Sequence, residues 1–156
     1  MYRSLALVAV LSAVAFAQDG TLHTHPCTGG LPHPNWVRIE GCTVMPCKLI
    51  RGQDVNMWME FTALNSFDGL TTKVMSTVGN EINIPYPLPS DKSNACNWLV
   101  NTRCPVDYNE DVEYHLNFHV SFIYPEVPDL KLEISLVDNY SHVQSCFVVD
   151  TSVVSS

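Results

Sequence analysis

The chain has 156 residues, of which 46% are hydrophobic and 15% charged, and its formal net charge is −8. This length suits one domain with a substantial hydrophobic core and is short for two domains. The acidic excess argues against nucleic acid as a partner, because two polyanions repel, and against attraction to anionic lipid surfaces.

The first 17 residues have the pattern of a secretory signal peptide. One positive charge, on Arg3, precedes an apolar run that starts at residue 5, and Ala15-Phe16-Ala17 supplies the small-residue cleavage pattern. The run is too short for a membrane-spanning helix, which needs about 20 apolar residues. We therefore predict cleavage after Ala17 and a single secreted domain over residues 18–156. A retained N-terminal anchor is the less favoured alternative.

Six cysteines follow this segment: Cys27, Cys42, Cys47, Cys96, Cys104 and Cys146. An even number in a secreted chain indicates three disulfides, and six cysteines allow fifteen pairings that spacing alone does not decide. Short intervening loops make two pairs attractive, Cys42 with Cys47 and Cys96 with Cys104. That choice would leave Cys27 to join Cys146. The sequence contains no C-x-x-C motif, so a metal site built on these thiols is disfavoured.

Alternation of apolar and polar side chains predicts an all-β fold. In residues 112–124 the even positions are apolar or aromatic and the odd ones from 113 to 121 are polar, which predicts one long strand with a single buried face. Residues 55–61 and 130–136 repeat the pattern, with Trp58 as an outward exception. Further strands are predicted at residues 36–41, 48–50, 71–77 and 146–154. We find no amphipathic helix pattern.

Turn-forming residues separate these segments, at 51–54, 65–69, 125–129 and 138–141. About seven short strands with one-sided alternation predict an immunoglobulin-like β-sandwich of two antiparallel sheets. Pro85, Pro87 and Pro89 would keep their segment extended and remove backbone donors, so we predict an edge strand there. Such an edge could form a portal between the sheets, or it could simply prevent edge-to-edge aggregation.

Large, adaptable side chains mark the predicted interior. The inward positions of residues 55–61 include Met57 and Met59, and those of residues 112–124 include three tyrosines or phenylalanines besides Tyr124. Such a stripe is usually packed core. Methionine and buried tyrosine also suit the wall of a cavity that an apolar ligand fills, and the pattern leaves both interpretations open.

Motifs for catalysis and metal binding are missing from the sequence. Neither a G-x-S-x-G elbow nor an H-E-x-x-H motif occurs. His115 and His119 would share one strand face about 13 Å apart, and His23 and His25 would lie about 7 Å apart, with no third ligand at a suitable spacing. We therefore predict that the protein is not an enzyme and has neither a cofactor nor a metal site.

The order of cysteines and prolines resembles the ML-domain lipid-recognition family. The likeness rests on Cys27, Cys42-x4-Cys47, residues 48–53, the proline run 84–89, Cys96, Cys104-Pro105, Tyr124-Pro125 and Ser145-Cys146-Phe147. It covers essentially the whole chain from residue 19 to residue 154. The resemblance implies an immunoglobulin-like sandwich with a lipid slot between its sheets, and the pairing Cys27–Cys146, Cys42–Cys47 and Cys96–Cys104.

The resemblance also implies which side chains contact the lipid. Three slot positions of the family's sterol carriers match Tyr86, Val120 and Tyr124. Neighbouring wall positions match Val55, Met57, Met59, Phe61, Ile134 and Phe147. Tyr86 stands where mammalian members have phenylalanine, which adds a hydroxyl near the entrance. A wider, methionine-lined slot would suit fatty acids as well as sterols.

The function implied by the resemblance is that of a monomeric carrier of a sterol or fatty acid. It would be secreted or lysosomal and would pass its cargo to a membrane sterol transporter. Recognition of microbial lipid for a receptor, and a structural or adhesive sandwich without ligand, are the alternatives. Asn139-Tyr140-Ser141 is an N-glycosylation sequon in a predicted exposed turn, and we expect it to be used.

Overall fold

Two β-sheets form the part of the protein that the structure describes. A computed structural model describes residues 20–79 and 82–156, and nine strands lie within those ranges. In chain order they are β1 (His25–Pro26), β2 (Trp36–Ile39), β3 (Cys47–Ile50), β4 (Asp54–Thr62), β5 (Leu70–Val78), β6 (Ile82–Tyr86), β7 (Asp111–His119), β8 (Val127–Asp138) and β9 (Val143–Val154). A single-turn helix α1 (Ser90–Ser93) and 3-10 segments at Thr28–Gly30 and Ala95–Trp98 accompany them. The predicted signal peptide, residues 1–17, lies outside the described residues.

The two sheets differ in size. The larger one has the order β1-β9-β8-β5-β6, with β3 also paired to β9, and the smaller one has the order β2-β4-β7. Neighbouring strands run antiparallel, apart from β3, which pairs with β9 in parallel. The predicted all-β sandwich of two antiparallel sheets is confirmed. Strand β6, which contains Pro85 and is followed by Pro87 and Pro89, closes one end of the larger sheet, as predicted for an edge strand.

Side chains of both sheets meet in a shared core. The alternation in β4 and β7 buries the following residues to 1% exposure or less: Met57, Met59, Phe61, Val112, Tyr114 and Leu116. The hydroxyl of Tyr114 lies 2.6 Å from that of Thr72 on β5, so a hydrogen bond crosses between the sheets inside the core. This bond satisfies two polar groups that would otherwise destabilise an apolar interior.

All six cysteines are paired, and the pairing is the one implied by the family resemblance. The bonds are Cys27–Cys146, Cys42–Cys47 and Cys96–Cys104. Cys27 directly follows β1 and Cys146 lies within β9, so the bridge connects the two ends of the described chain across 119 residues of sequence. The other two bridges close local loops.

Strand β7 is shorter than the sequence pattern predicts. It ends at His119, which pairs with Asp54, the first residue of β4. Regular pairing stops where β4 begins, and the chain then turns, with the Tyr124 N–H donating to the Ser121 carbonyl at 3.2 Å. The prediction that residues 112–124 form one strand is therefore wrong beyond residue 119. Phe122, which that pattern places inside, is 68% exposed.

The outer face of the smaller sheet carries a stack of aromatic and basic side chains. Trp58 lies parallel to the His115 ring with centroids 4.7 Å apart, and the Arg38 guanidinium is 4.7 Å from the Trp58 ring centre. Trp98 meets His115 edge-on at 6.1 Å, and Lys92 Nζ lies 3.5 Å from the Trp98 ring centre. Burial and the nearby Lys92 charge lower the pKa of His115. The stack accommodates the outward Trp58 and fastens the α1 segment to the sheet.

Candidate functional site

A cavity of about 370 Å³ lies between the two sheets. Its wall consists of the following residues: Leu49, Val74, Ser76, Val78, Ile84, Pro85, Tyr86, Pro87, Leu88, Leu116, Phe118, Val120, Tyr124, Pro125, Val127, Leu130, Leu132, Ile134 and Val153. Among these described residues, three contribute a hydroxyl and none is charged. The volume falls within the range of about 300–1,000 Å³ that is typical of small-molecule sites.

Strand β8 forms the inner wall of the cavity. Leu130, Leu132 and Ile134 occupy alternate positions of β8, so all three side chains project from the same face of the sheet. From the opposite sheet, Leu116 and Phe118 of β7 complete the wall, followed by Val120 just after the strand. The period-2 pattern that builds the core thus also lines the cavity.

Edge strand β6 forms the outer rim of the cavity. Among the described strands it pairs with β5 alone, in a register that sets Ser76 opposite Ile84 and Val74 opposite Tyr86. The Ser76 hydroxyl donates to the Ile84 carbonyl at 2.9 Å, which adds a side-chain bond to this pairing. Ile84 is 50% exposed while lining the cavity, so the apolar wall continues to the protein surface at this edge.

Two tyrosines meet across the mouth. The Tyr124 hydroxyl donates to the Tyr86 hydroxyl at 2.9 Å, and the two rings pack edge to face with centroids 5.9 Å apart. Phe118 packs against the Tyr86 ring at 6.4 Å. Burial, followed by the interaction with Tyr124, raises the pKa of Tyr86 above its ordinary value, so this phenol stays protonated. The pair joins β6 to the connection between β7 and β8.

Arg51 holds that connection in place. One guanidinium nitrogen donates to the Tyr124 carbonyl at 3.4 Å, and another donates to the Glu126 carboxylate at 3.0 Å. The neighbouring Gly52 has φ of +80°, and a Cβ atom there would lie 2.0 Å from the Phe122 ring. Glycine is therefore needed at position 52 for its backbone conformation, and its lack of a side chain leaves room for the Phe122 ring.

Four predicted site residues line the cavity: Tyr86, Val120, Tyr124 and Ile134. Tyr124 reaches it from the β7–β8 connection rather than from a strand, because β7 has already ended. The wall residues Leu132 and Phe118 lie at inward positions of the predicted alternation. Leu49, Val74 and Val153 come from strands whose proximity depends on the sheet order, so the sequence pattern carried no signal for them.

Five predicted site residues are not part of this wall: Val55, Met57, Met59, Phe61 and Phe147. The last four are at most 1% exposed and belong to the packed core, and Val55 packs against that core. On β7 the wall starts at Leu116, and Met59 and Phe61 pair with β7 residues before that point. The structure does not bring these five side chains to the cavity surface, and a role in lipid contact stays a prediction.

The cysteines and several of the histidines have structural partners. Cys27, Glu133 and Cys146 offer ligand atoms within 4.8 Å of one another, the one such group of three among the described residues. Both cysteines belong to a disulfide, so they provide no thiolate for a metal ion. His119 Nδ1 lies 2.7 Å from the Asp54 carboxylate, and His115 is held in the aromatic stack.

These features define a class of small, disulfide-bonded β-sandwiches with an apolar cavity that opens beside an edge strand. In a comparison with protein families, the family model described as ML domain matches residues 21–153. The chain belongs to the ML-domain family, and the family resemblance of the sequence is confirmed.

Individual relatives match most of the chain. The chain is 25% identical over 150 residues to NPC intracellular cholesterol transporter 2 of Mus musculus, covering 96% of this chain and 97% of the mouse protein. The Bos taurus protein of the same name is 26% identical over 117 residues, covering 75% and 74% of the two chains. A Niemann-Pick type C2 protein from Japanese carpenter ant superposes with a TM-score of 0.72 at 18% identity, covering 85% of this chain and 99% of the ant chain. Its structure shows that the fold is shared.

Within residues 20–79 and 82–156, no helix has the length and hydropathy of a membrane span.

Proposed function

We propose that the protein is a lipid carrier that holds one sterol or fatty acid in the cavity between its sheets. The observation that carries this proposal is the uncharged apolar wall, which opens to the surface at the edge strand β6. A cavity of about 370 Å³ between the sheets favours this role over an adhesive sandwich with a solid core. The cholesterol transporters among the relatives support a sterol as one cargo.

The remaining features of the proposal concern the setting in which the carrier works. The signal-peptide pattern of residues 1–17 supports secretion, and lysosomal delivery is a further expectation from the resemblance. We propose that the protein acts as a monomer, without catalysis, and hands its cargo to a membrane sterol transporter. Presentation of a microbial lipid to a receptor is the second candidate, and it would use the same cavity.

The direct test is to identify the cargo. The natively secreted protein would be extracted with organic solvent, and the extract analysed by mass spectrometry. We expect close to one sterol or fatty acid per chain. A lipid-A-like molecule in the extract would favour the immune role instead. An empty extract, together with no binding of a fluorescent sterol or fatty acid by the purified protein, would contradict the carrier proposal.

A further inference from the structure

The hydrogen-bonding chemistry of the cavity is concentrated at one place. Of the three hydroxyl-bearing residues in its wall, Ser76 already donates its proton to the Ile84 carbonyl of β6. The other two, Tyr86 and Tyr124, bond to each other at 2.9 Å. Side-chain hydrogen bonding to a bound ligand would therefore take place at the tyrosine pair, at the mouth of the cavity.

The pair has unused hydrogen-bonding capacity of a particular kind. Each phenol carries one O–H donor and can also accept, so a bond between the two consumes only one of their donors. The second O–H has no protein acceptor among the described residues. The Tyr86–Tyr124 pair can thus donate one hydrogen bond and accept another. A ligand hydroxyl, which also donates and accepts, would satisfy both, whereas a carboxylate only accepts.

The lack of charge in the cavity wall also favours a neutral head group over a carboxylate. The cavity wall contains no positively charged side chain among the described residues. Arg51, which contacts the mouth segment, already bonds to the Tyr124 carbonyl and to the Glu126 carboxylate. A carboxylate head group at the tyrosine pair would lose water without gaining a cation, and burial of an unpaired charge is strongly unfavourable.

Building on the proposed carrier function, we propose that the Tyr86–Tyr124 pair selects lipids with a neutral hydroxyl head group and discriminates against the carboxylate of an ionised fatty acid. A sterol and a long-chain alcohol share this head-group chemistry. A fatty acid becomes acceptable when it is protonated, because a carboxylic acid both donates and accepts. The pair thereby acts as the specificity-determining element of the cavity.

The test compares three ligands of matched chain length as competitors for a neutral fluorescent probe, N-phenyl-1-naphthylamine. At about pH 8 we expect 1-hexadecanol to displace the probe at a concentration about tenfold or more below that of palmitate. Methyl palmitate, which is neutral but only accepts, should lie between them and so separates charge from hydrogen bonding. At about pH 5 a buried fatty acid protonates more readily, so palmitate should gain affinity while 1-hexadecanol does not.

Substitutions of the two tyrosines test whether their hydroxyls cause the preference for a hydroxyl head group. The double variant Tyr86→Phe, Tyr124→Phe keeps both rings and removes both hydroxyls. We expect it to bind 1-hexadecanol about tenfold more weakly and palmitate unchanged, so the advantage of 1-hexadecanol over methyl palmitate, which is due to hydrogen bonding, should be lost. Tyr108→Phe, at a residue that is 68% exposed and outside the cavity wall, is the matched control and should behave as wild type.

Three outcomes count against the proposals, and they distinguish the head-group selection from the carrier function. Equal or tighter displacement by palmitate at the higher pH, or a preference for 1-hexadecanol over methyl palmitate that survives in the double variant, overturns the head-group selection and leaves the carrier function standing. If neither the probe nor any of the three ligands binds the wild-type protein, the carrier function itself fails.

Discussion

Val120 lies at the point where the inward pattern of β7 meets the cavity. Its side chain is 3% exposed and lines the cavity wall. Its backbone is fixed on both sides, since its N–H donates to the Gln53 carbonyl at 2.9 Å and its carbonyl accepts from the Gly52 N–H at 2.6 Å. A larger side chain at this position would therefore extend into the cavity and could not be relieved by a shift of the chain.

We predict that Val120→Phe abolishes binding of a fluorescent sterol or fatty acid and leaves the melting temperature of the ligand-free protein nearly unchanged. Overfilling packed core usually costs about 1–3 kcal/mol, and overfilling an open cavity should cost less. Val112→Phe is the matched control on the same face of β7, because Val112 is fully buried in packed core. A Val120→Phe protein that melts as low as the Val112→Phe protein would indicate that position 120 has no free space.

Asp138 is a buried carboxylate at the end of β8. One oxygen accepts from the backbone N–H groups of Tyr140 and His142, and the other accepts from the side-chain amides of Asn65 and Gln144 at 2.8 Å each. Burial alone would raise the pKa of Asp138, but these hydrogen bonds lower it below the ordinary value. The ionised carboxylate is therefore part of the folded structure.

We predict that the free energy of unfolding falls as the pH drops below about 4, since the pKa of Asp138 is lowered from 3.8 in the folded state. The unfolded chain takes up the proton at a higher pH than the folded one, so acid favours unfolding. Asp138→Asn replaces one acceptor by a donor that faces other donors, which should cost about 1–3 kcal/mol at neutral pH. Urea unfolding of both proteins over a pH series checks this, and an unchanged pH dependence in the variant would contradict it.

At the scale of elements, the turn between β8 and β9 joins two parts of the molecule. The Asn139 carbonyl oxygen Oδ1 accepts from the backbone N–H groups of Asp68 and Gly69, both at 3.0 Å, and Asn139 itself is exposed. The loop before β5 is thus fastened to the β8–β9 turn. The amide nitrogen, to which a glycan attaches, is not the atom that makes these bonds.

We predict that Asn139 carries an N-linked glycan in the natively secreted protein. Glycosidase treatment should reduce the mass of the protein, and Ser141→Gly should give the same reduced mass. Position 141 has φ of +69°, so glycine fits there and the bonds of Asn139 to the loop are kept. Asn139→Gln removes both the glycan and those bonds, and it should also lower the melting temperature. A mass unchanged by glycosidase would contradict glycosylation.

The alternation of side chains predicted the inward faces of β4, β7 and β8 correctly, because side-chain direction in a strand depends only on local geometry. It failed at the end of β7, because that end is set by the start of β4, which is remote in sequence. For the same reason, the pattern could not separate Met59 of the packed core from Leu132 of the cavity wall, which both occupy inward positions. The two residues differ in whether they line the cavity, which depends on how the two sheets pack against each other.

At the scale of the whole molecule, the three disulfides act over very different lengths of chain. Cys27–Cys146 spans 119 residues, whereas the other two span 5 and 8 residues. In the chain-entropy treatment the long loop contributes about 4–5 kcal/mol and each short loop about 2–3 kcal/mol. A domain of this size holds about 5–15 kcal/mol in total.

We predict that the Cys27→Ser, Cys146→Ser pair is secreted much less than the Cys42→Ser, Cys47→Ser pair, because it loses the larger share of stability. Secreted yield from the same expression host, measured by immunoblot of the medium, compares the two directly. Each variant removes two cysteines and leaves an even number, so neither contains an unpaired thiol. Equal yields would show that loop length does not determine the contribution of these bridges.

The position of β6 at the edge of the larger sheet would allow the cavity to open while the other strands stay paired. Among the described strands, β6 pairs through its backbone with β5 alone, while the long pair β8–β9, which carries the bridging Cys146, lies on the far side of β5. Movement of β6 away from the opposite sheet would widen the cavity mouth without disturbing a single β8–β9 hydrogen bond. On the proposed carrier function, substitutions in the rim would change the rate at which cargo leaves and would keep the β8–β9 pairing intact, so the two properties could change independently as the protein evolves.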